Sequence, residues 1–234
     1  MKIEVWSDIV CPFCYIGKRR LESALEKFEH REEIKLSFKS FQLDPSFKRD
    51  GNTSIHEKLA AKYNVSVDQA KSMHDQMTEQ AHAAGLEYNF DDVIPTNTED
   101  AHRLSHYAKS QGKMEVFMEQ AMKAYFTDGR DIGDHDELVK LSEEVGLDKR
   151  KARQVLEEGT YREAVVLDQQ EGTKIGVQGV PFFVFNNKYA VSGAQSPDTF
   201  LEVLEKVWKE ENEQPAIQKL HDDSTGESCT DDSC

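Results

Sequence analysis

The chain has 234 residues, and its 29 basic and 44 acidic side chains give a formal net charge of −15 at pH 7. This length allows one domain with an inserted subdomain, because single domains usually have about 100–200 residues. A surface this acidic repels a phosphate backbone, and no apolar run approaches the roughly 20 residues that span a bilayer. We therefore expect neither a nucleic acid nor a membrane as a partner.

The N-terminal part of the chain predicts a β-α-β unit. Residues 2–7 are typical of a short buried strand, and residues 34–43 alternate apolar and polar side chains like a half-buried strand. Between them an apolar stripe has the spacing of a helix that lies on a sheet, through Leu21, Ala24, Leu25 and Phe28. The first strand begins at once, without the basic and apolar stretches of an export signal, so we expect a cytoplasmic protein.

From about residue 54 to residue 175 the apolar residues have the period of helices. A capping box from Ser66 to Gln69 opens one helix, and Asp134 with Glu137 opens another. Further helices are predicted near residues 99–110, 114–126 and 160–175. We therefore expect a helical insertion between the strands.

Strand signals return near the C-terminus. Residues 181–185 and 188–192 are joined by Asn186-Asn187, a pair that tolerates the positive φ angles of a tight hairpin. A last amphipathic helix follows, with Ser196 as its N-cap. Beyond this helix the chain is polar and acidic, and we expect a flexible tail.

Two cysteines, Cys11 and Cys14, lie where the first predicted strand ends and the first helix begins. The unpaired N–H groups and the partial positive charge at a helix N-terminus stabilise a thiolate. Pro12 suits this place, because proline at the first helical position loses no hydrogen bond. We expect Cys11 to face solvent and act as the nucleophile, and Cys14 to lie deeper and attack the resulting mixed disulfide.

Two other interpretations of this CxxC pair are open. A CxxC is also half of a zinc site, and buried thiols are often inert. A second pair exists, Cys229 and Cys234, but it lies in the acidic tail, and no histidine has zinc-finger spacing. We therefore expect no metal.

The tail pair has three interpretations of its own, as a second redox pair, as incidental exposed thiols or as a metal scavenger.

The dipeptide Val180-Pro181 opens a very apolar strand directly after the turn at Gly179. If this bond is cis, the backbone of Val180 presents its N–H and C=O to an extended peptide beside Cys11. If the bond is trans, Pro181 only begins an edge strand, and most X–Pro bonds are trans. The residues alone leave both alternatives open.

Four segments carry a resemblance to a known family. Residues 7–17 and 176–185 resemble the active-site turn and the cis-proline loop of DsbA-like oxidoreductases, specifically of the FrnE branch. Residues 97–104 and 129–133 are similar to parts of the helical insertion in that branch, and in the related 2-hydroxychromene-2-carboxylate isomerases and kappa-class glutathione transferases. The dipeptide between the cysteines is Pro-Phe and lacks the histidine of DsbA, so we expect a less oxidising couple.

The resemblance extends from about residue 1 to residue 210 and implies an α/β protein, a thioredoxin fold with a large inserted α-helical domain. The implied parts are residues 1–48 and 177–212 as the halves of the thioredoxin domain, 49–176 as the helical insertion and 213–234 as the flexible tail. It also implies Cys11 as nucleophile, Cys14 as resolving thiol and Pro181 in cis. The expected substrate-binding residues are Pro12, Phe13, Val180 and Pro181, and Asn97 and His102 are candidates for the active-site cleft.

The resulting functional prediction is disulfide exchange with protein thiols or disulfides, maintained by a recycling reductant. The alternative, suggested by the isomerase relatives, is a glutathione-dependent isomerase or transferase that acts on a small molecule through Cys11 alone. The presence of Cys14 favours the first function, because activation of glutathione needs no resolving thiol. We expect no resident cofactor, with glutathione as the candidate co-substrate.

Overall fold

The computed structural model describes residues 1–49, 51 and 53–212. These residues form four strands and nine α-helices, in the order β-α-β, seven helices, β-β-α. The strands are β1 (Lys2–Ser7), β2 (Lys35–Ser40), β3 (Phe182–Phe185) and β4 (Tyr189–Ser192). The helices are α1 (Pro12–Lys27), α2 (Ile55–Tyr63), α3 (Val67–Ala83), α4 (Glu99–Ser110), α5 (Met114–Phe126), α6 (His135–Glu144), α7 (Lys149–Glu158), α8 (Arg162–Lys174) and α9 (Pro197–Asn212).

The four strands form one mixed sheet in the order β2-β1-β3-β4. Strand β1 is parallel to β2 and antiparallel to β3, and β3 is antiparallel to β4. Val5 therefore lies between Phe38 and Phe183, and all three side chains are buried. Because β1 is central, the turn that follows it lies at the middle of the sheet's end, and this turn contains the cysteine pair.

Helices cover the sheet on both faces. Helix α9 packs beside α1, where Phe200 meets Phe183 edge to face with ring centroids 4.7 Å apart. Helix α8 packs on β2, and the Nε1 of the fully buried Trp6 donates a hydrogen bond to the backbone carbonyl of Asp168 at 2.8 Å. Helices from the long helical region thus contact the sheet directly.

The local signals in the sequence correspond to observed elements. Ser66 and Gln69 form the predicted capping box of α3, and Asp134 accepts backbone hydrogen bonds as the N-cap of α6. Asn186 and Asn187 both have positive φ angles, 50° and 55°, in the hairpin between β3 and β4. Helices α2 and α7 were not predicted individually. The limits of the predicted domains, at residues 48, 176 and 212, stay predictions.

Candidate active site

The turn from Ser7 to Cys14 gives the cysteine pair its geometry. Cys11 is the N-cap of α1, with an extended backbone (φ −90°, ψ 113°), and Pro12 follows as the first helical residue. The N–H of Cys11 donates to the carbonyl of Asp8 at 3.1 Å, and the N–H of Cys14 donates to the carbonyl of Cys11 at 3.0 Å. The Cys11 sulfur therefore lies at the positive end of the helix dipole, where negative charge is stabilised.

Both thiols are free and buried, Cys11 with 5% and Cys14 with 2% of its surface exposed. The prediction that Cys11 faces solvent is therefore wrong. The reason is tertiary: the loop before β3 brings the carbonyl of Val180 to 3.6 Å from the Cys11 sulfur, and Tyr88 covers the turn from the helical region. The deeper position predicted for Cys14 is what the structure shows.

The surroundings of Cys14 disfavour its ionisation. Burial raises the pKa of the Cys14 thiol well above its ordinary value, and the adjacent Cys11 raises it further. Cys14 is consequently a neutral thiol at neutral pH. The sulfur of Cys11 thus lies at the helix terminus, and the protonated Cys14 lies one turn further into the protein.

The loop before β3 forms the wall opposite α1. The Val180-Pro181 peptide bond is cis, and the carbonyl of Pro181 accepts a hydrogen bond from Gly193 at 2.8 Å. The loop can lie this near to α1 because residue 17 is a glycine. A Cβ atom at that position would lie 3.0 Å from the Pro181 ring. Phe13 is exposed, and Pro12 and Val180 are partly exposed, so an apolar surface surrounds the entrance to Cys11; Pro181 itself is buried.

The CxxC turn at the end of a central strand, facing a cis-proline loop, points to one family. The sequence matches the family described as DSBA-like thioredoxin domain over residues 2–205. The chain belongs to this family. The family and the fold class predicted from the sequence, a thioredoxin fold with inserted helices, are thereby confirmed.

Individual proteins of known sequence or structure agree with this membership. The uncharacterized protein YwbO of Bacillus subtilis (strain 168) is 30% identical over 206 residues, which are 85% of this chain and 92% of that protein. A probable DsbA oxidoreductase from Streptomyces coelicolor has a TM-score of 0.86 and 37% identity, with 100% of this chain and 98% of that chain covered. A 2-hydroxychromene-2-carboxylate isomerase has a TM-score of 0.65 at 14% identity, with 90% and 98% covered, which is a likeness of fold.

Behind the cysteines of this DsbA-like domain lies a buried acid that the sequence did not single out. Asp8 has 1% of its surface exposed, and its carboxylate faces Nε2 of His102 at 3.2 Å and accepts the N–H of Leu43 at 2.8 Å. Its carbonyl also holds the N–H of Cys11. Asp8 thus joins the active-site turn to α4 and to the loop after β2. An acidic residue between the end of β1 and the apolar Ile9 and Val10 was the available signal.

The two candidate cleft residues have different positions. His102 is fully buried against Asp8, so it supports the active-site turn from behind and lines no open cleft. The Asn97 side chain accepts the N–H of Glu99 at 2.8 Å and donates to the carbonyl of Pro45 at 3.1 Å. It therefore fixes the start of α4 to the loop after β2, and it lines a surface cavity with Arg49 and Arg162.

Tyr88 is a second group that sequence reasoning missed. It lies between α3 and α4, with 7% of its surface exposed, and its hydroxyl donates to the carbonyl of Pro12 at 2.7 Å. No motif or spacing marks it, because only folding brings residue 88 to residue 12. The helical region thus contributes directly to the CxxC turn.

The described residues contain no group of three or more His, Cys, Asp or Glu side chains that could hold a metal ion. Cys229 and Cys234, predicted as a possible second redox pair, lie outside the described residues. In the same described part of the chain, no helix has both the length and the apolar character needed to cross a lipid bilayer.

Proposed function

We propose that this DsbA-like protein is a thiol-disulfide oxidoreductase that exchanges disulfides with protein substrates, with Cys11 as nucleophile and Cys14 as resolving thiol. The observation that carries the proposal is the position of Cys11 at the N-cap of α1, 3.6 Å from the Val180 carbonyl, with a protonated Cys14 in the next turn. A helix N-terminus stabilises the attacking thiolate, and the partner thiol stays neutral until it is needed.

In the reductive direction the Cys11 thiolate attacks one sulfur of a substrate disulfide. A Cys11–substrate disulfide forms, and the other substrate sulfur leaves as a thiolate and takes up a proton. Cys14 then loses its proton and attacks the Cys11 sulfur, which releases the second substrate thiol and forms the Cys11–Cys14 disulfide. Two electrons pass to the substrate, and a recycling thiol reductant returns the dithiol.

Substrate binding is proposed for the surface around Cys11. The backbone of Val180 lies beside the sulfur and is partly exposed, so it can pair with an extended peptide without regard to side chains. The exposed ring of Phe13 and the partly exposed Pro12 supply apolar contact on the other side. Together with Pro181, these residues favour a polypeptide over a small polar substrate.

We propose that the protein works in a reducing cytoplasm, and this environment determines the direction of electron flow. In a reducing cytoplasm, a dithiol without the histidine of DsbA favours reduction or isomerisation over net oxidation. The alternative function, a glutathione-dependent isomerase or transferase using Cys11 alone, has a fold likeness in its support. The single-thiol function does not use a second thiol beside Cys11. The presence of the neutral, buried Cys14 therefore favours disulfide exchange.

Turnover of insulin reduction by the full chain tests the proposal, with dithiothreitol as reductant. The Cys11→Ser variant should lose all catalysed turnover, and the reduced Cys14→Ser variant, mixed with insulin after removal of dithiothreitol, should accumulate a mixed disulfide. The double variant Cys229→Ser/Cys234→Ser is the control, since it removes thiols that lie outside the CxxC turn. Turnover that survives the loss of Cys11 contradicts the proposal, and full activity without Cys14 supports the single-thiol alternative.

A further inference from the structure

Tyr88 holds a fixed place beside the active-site turn. Its ring stacks on Phe126 of α5 with centroids 4.6 Å apart, meets Phe90 edge to face at 5.6 Å and stacks on Tyr15 of α1 at 6.2 Å. Three aromatic neighbours therefore determine where the ring lies. Its hydroxyl, which can rotate about the C–O bond, is the one part of the side chain free to change partner.

The hydroxyl points at the residue next to the nucleophile. It donates to the Pro12 carbonyl at 2.7 Å, and Pro12 directly follows Cys11. This bond ties the phenol to the turn that carries both thiols. Burial, and next the charge of Cys11, raise the pKa of Tyr88, so the phenol stays protonated and can donate a hydrogen bond.

A Cys11 thiolate in this site needs hydrogen-bond donors. The polar atom that faces its sulfur at 3.6 Å is the Val180 carbonyl oxygen, which can only accept and therefore loses its favourable contact when the thiol proton leaves. The N–H of Cys14 is already bonded to the Cys11 carbonyl. The Tyr88 hydroxyl, which is bonded to the carbonyl of Pro12 next to this cysteine, is a side-chain donor at the same turn.

We propose that the Tyr88 hydroxyl is a third polar group of the redox centre: it donates to the Pro12 carbonyl while Cys11 is a thiol or a disulfide, and to the Cys11 sulfur when that is a thiolate. This inference rests on the proposed function, since it assigns a group to the same reactive sulfur. By stabilising the thiolate, Tyr88 stabilises the reduced protein and makes its disulfide more oxidising.

The test is the Tyr88→Phe variant of the full chain, which keeps all three ring contacts and removes only the hydroxyl. Iodoacetamide labelling of the reduced protein at a series of pH values, with the modified cysteine located by tandem mass spectrometry, gives the apparent pKa of Cys11. We expect this pKa to rise by about one unit, because a hydrogen bond to a charged group is lost. The equilibrium with oxidised and reduced glutathione should move about tenfold toward the protein disulfide.

Tyr15→Phe is the matched control. Tyr15 belongs to the same aromatic group, but its hydroxyl donates to Glu119 at 2.5 Å and not to the CxxC turn. Its labelling profile should coincide with that of the native protein. Thermal unfolding of each variant shows whether it is folded, and a loss of hydrogen bonding alone should lower the Tm by only a few degrees.

Two results overturn the inference. One is a Tyr88→Phe profile identical to the native one, which leaves Tyr88 as a structural link between α1 and the helical region. The other is an equal shift in Tyr15→Phe, which assigns the effect to the aromatic group as a whole. Labelling needs no turnover, so these outcomes are distinct from failure of the proposed function, which is decided by Cys11→Ser in the insulin assay.

Discussion

Gly172 of α8 packs directly against the indole ring of Trp6 of β1. A Cβ atom at position 172 would lie 2.7 Å from Nε1 of Trp6, and Trp6 is fully buried, so it has little room to move. Gly172→Ala gains about 1 kcal/mol of helix propensity. It forces the indole away from its hydrogen bond with Asp168 and overpacks the site, which together cost about 2–4 kcal/mol. We expect a net loss of about 1–3 kcal/mol in the free energy of unfolding.

Urea unfolding followed by tryptophan fluorescence measures this difference. Gln170→Ala, at an exposed position of the same helix, is the control and should change stability by less than about 0.5 kcal/mol. A Gly172→Ala protein more stable than the native one would show that propensity outweighs the contact with Trp6.

The buried guanidinium of Arg103 of α4 binds carbonyl groups at the C-terminal end of helix α7. Arg103 has 1% of its surface exposed, and its guanidinium donates to the carbonyls of Thr160, Val155 and Leu156 and to the carboxylate of Asp100. Lysine has no planar fork to reach these acceptors together. Arg103→Lys should therefore lower the free energy of unfolding by about 2–4 kcal/mol.

The control for Arg103 is Arg162→Lys. Arg162 also pairs with a carboxylate, that of Glu99, but 63% of its side chain is exposed. An exposed ion pair contributes about 0–1 kcal/mol, so this variant should unfold at nearly the native urea concentration. Equal losses in the two variants would mean that burial does not decide the effect at Arg103.

Local sequence signals predict the helices and strands. They do not predict which side chains, distant in sequence, come into contact in the fold. The period of apolar residues and the capping boxes, such as that of Ser66 and Gln69, depend on neighbours within a few residues, and the predicted α3 is observed. The burial of Cys11 depends on Val180 and Tyr88, which are distant in sequence and are brought together only by folding. A sequence pattern therefore indicates the reactive residues but not the side chains that enclose them.

The same distinction applies to the two histidines at helical spacing on α4. Their separation by one turn is typical of a metal pair as well as of ordinary helix residues. In the structure His102 faces Asp8 at 3.2 Å, whereas His106 faces Asp168 at 3.2 Å, so the two rings serve different carboxylates. Spacing places them on one face of the helix. Their partners come from the turn after β1 and from α8, which spacing cannot reveal.

His74 makes stability depend on pH. Its pKa is lowered from 6.5 to about 4, by burial first and by the neighbouring His56 second, while Asp75 and Asp91 oppose the shift. Above pH 6.5 both folded and unfolded states are neutral at this residue. As pH falls from 6.5 to 4, the unfolded chain binds a proton that the folded protein refuses, so the free energy of unfolding decreases across that window.

The urea midpoint of the native protein, measured between pH 7 and pH 4, should fall less steeply in His74→Phe, which cannot titrate there. His82→Gln is the control, because His82 is on the same helix α3 but 76% of its side chain is exposed. It should keep the native slope. If His74→Phe retains the full pH dependence, other groups are responsible for it.

Glu119 of α5 connects the helical region to α1 just behind the cysteines. It accepts hydrogen bonds from Tyr15 and Lys18, both at 2.5 Å, and pairs with Arg19. Burial opposes its charge, but the hydrogen bonds from Lys18 and Tyr15 and the charges of Lys18 and Arg19 together outweigh burial, so the pKa of Glu119 is lowered. Glu119→Gln removes the charge that Lys18, with 5% of its surface exposed, requires, and should cost about 1–3 kcal/mol of stability at pH 7.

Glu115, one turn earlier on α5, provides a control with the opposite expectation. Burial raises the pKa of Glu115, so the folded protein disfavours its charge. Glu115→Gln should therefore leave stability at pH 7 unchanged or raise it slightly. Chemical unfolding of the two variants side by side separates the pairing of Glu119 from a general effect of removing a negative charge from this helix.

The raised pKa of Cys14 predicts selective labelling of the reduced protein. Because burial holds the pKa of Cys14 well above its ordinary value, Cys14 stays protonated at pH 9, and a thiol reacts far more slowly than a thiolate. Iodoacetamide at pH 8–9 should modify Cys11 at least about tenfold faster than Cys14. Unfolding in urea removes the burial and should make the two rates nearly equal, which is the control. Equal rates in the folded protein would show that burial does not protect Cys14, and the distinction between a nucleophile and a resolving thiol would then need another physical basis.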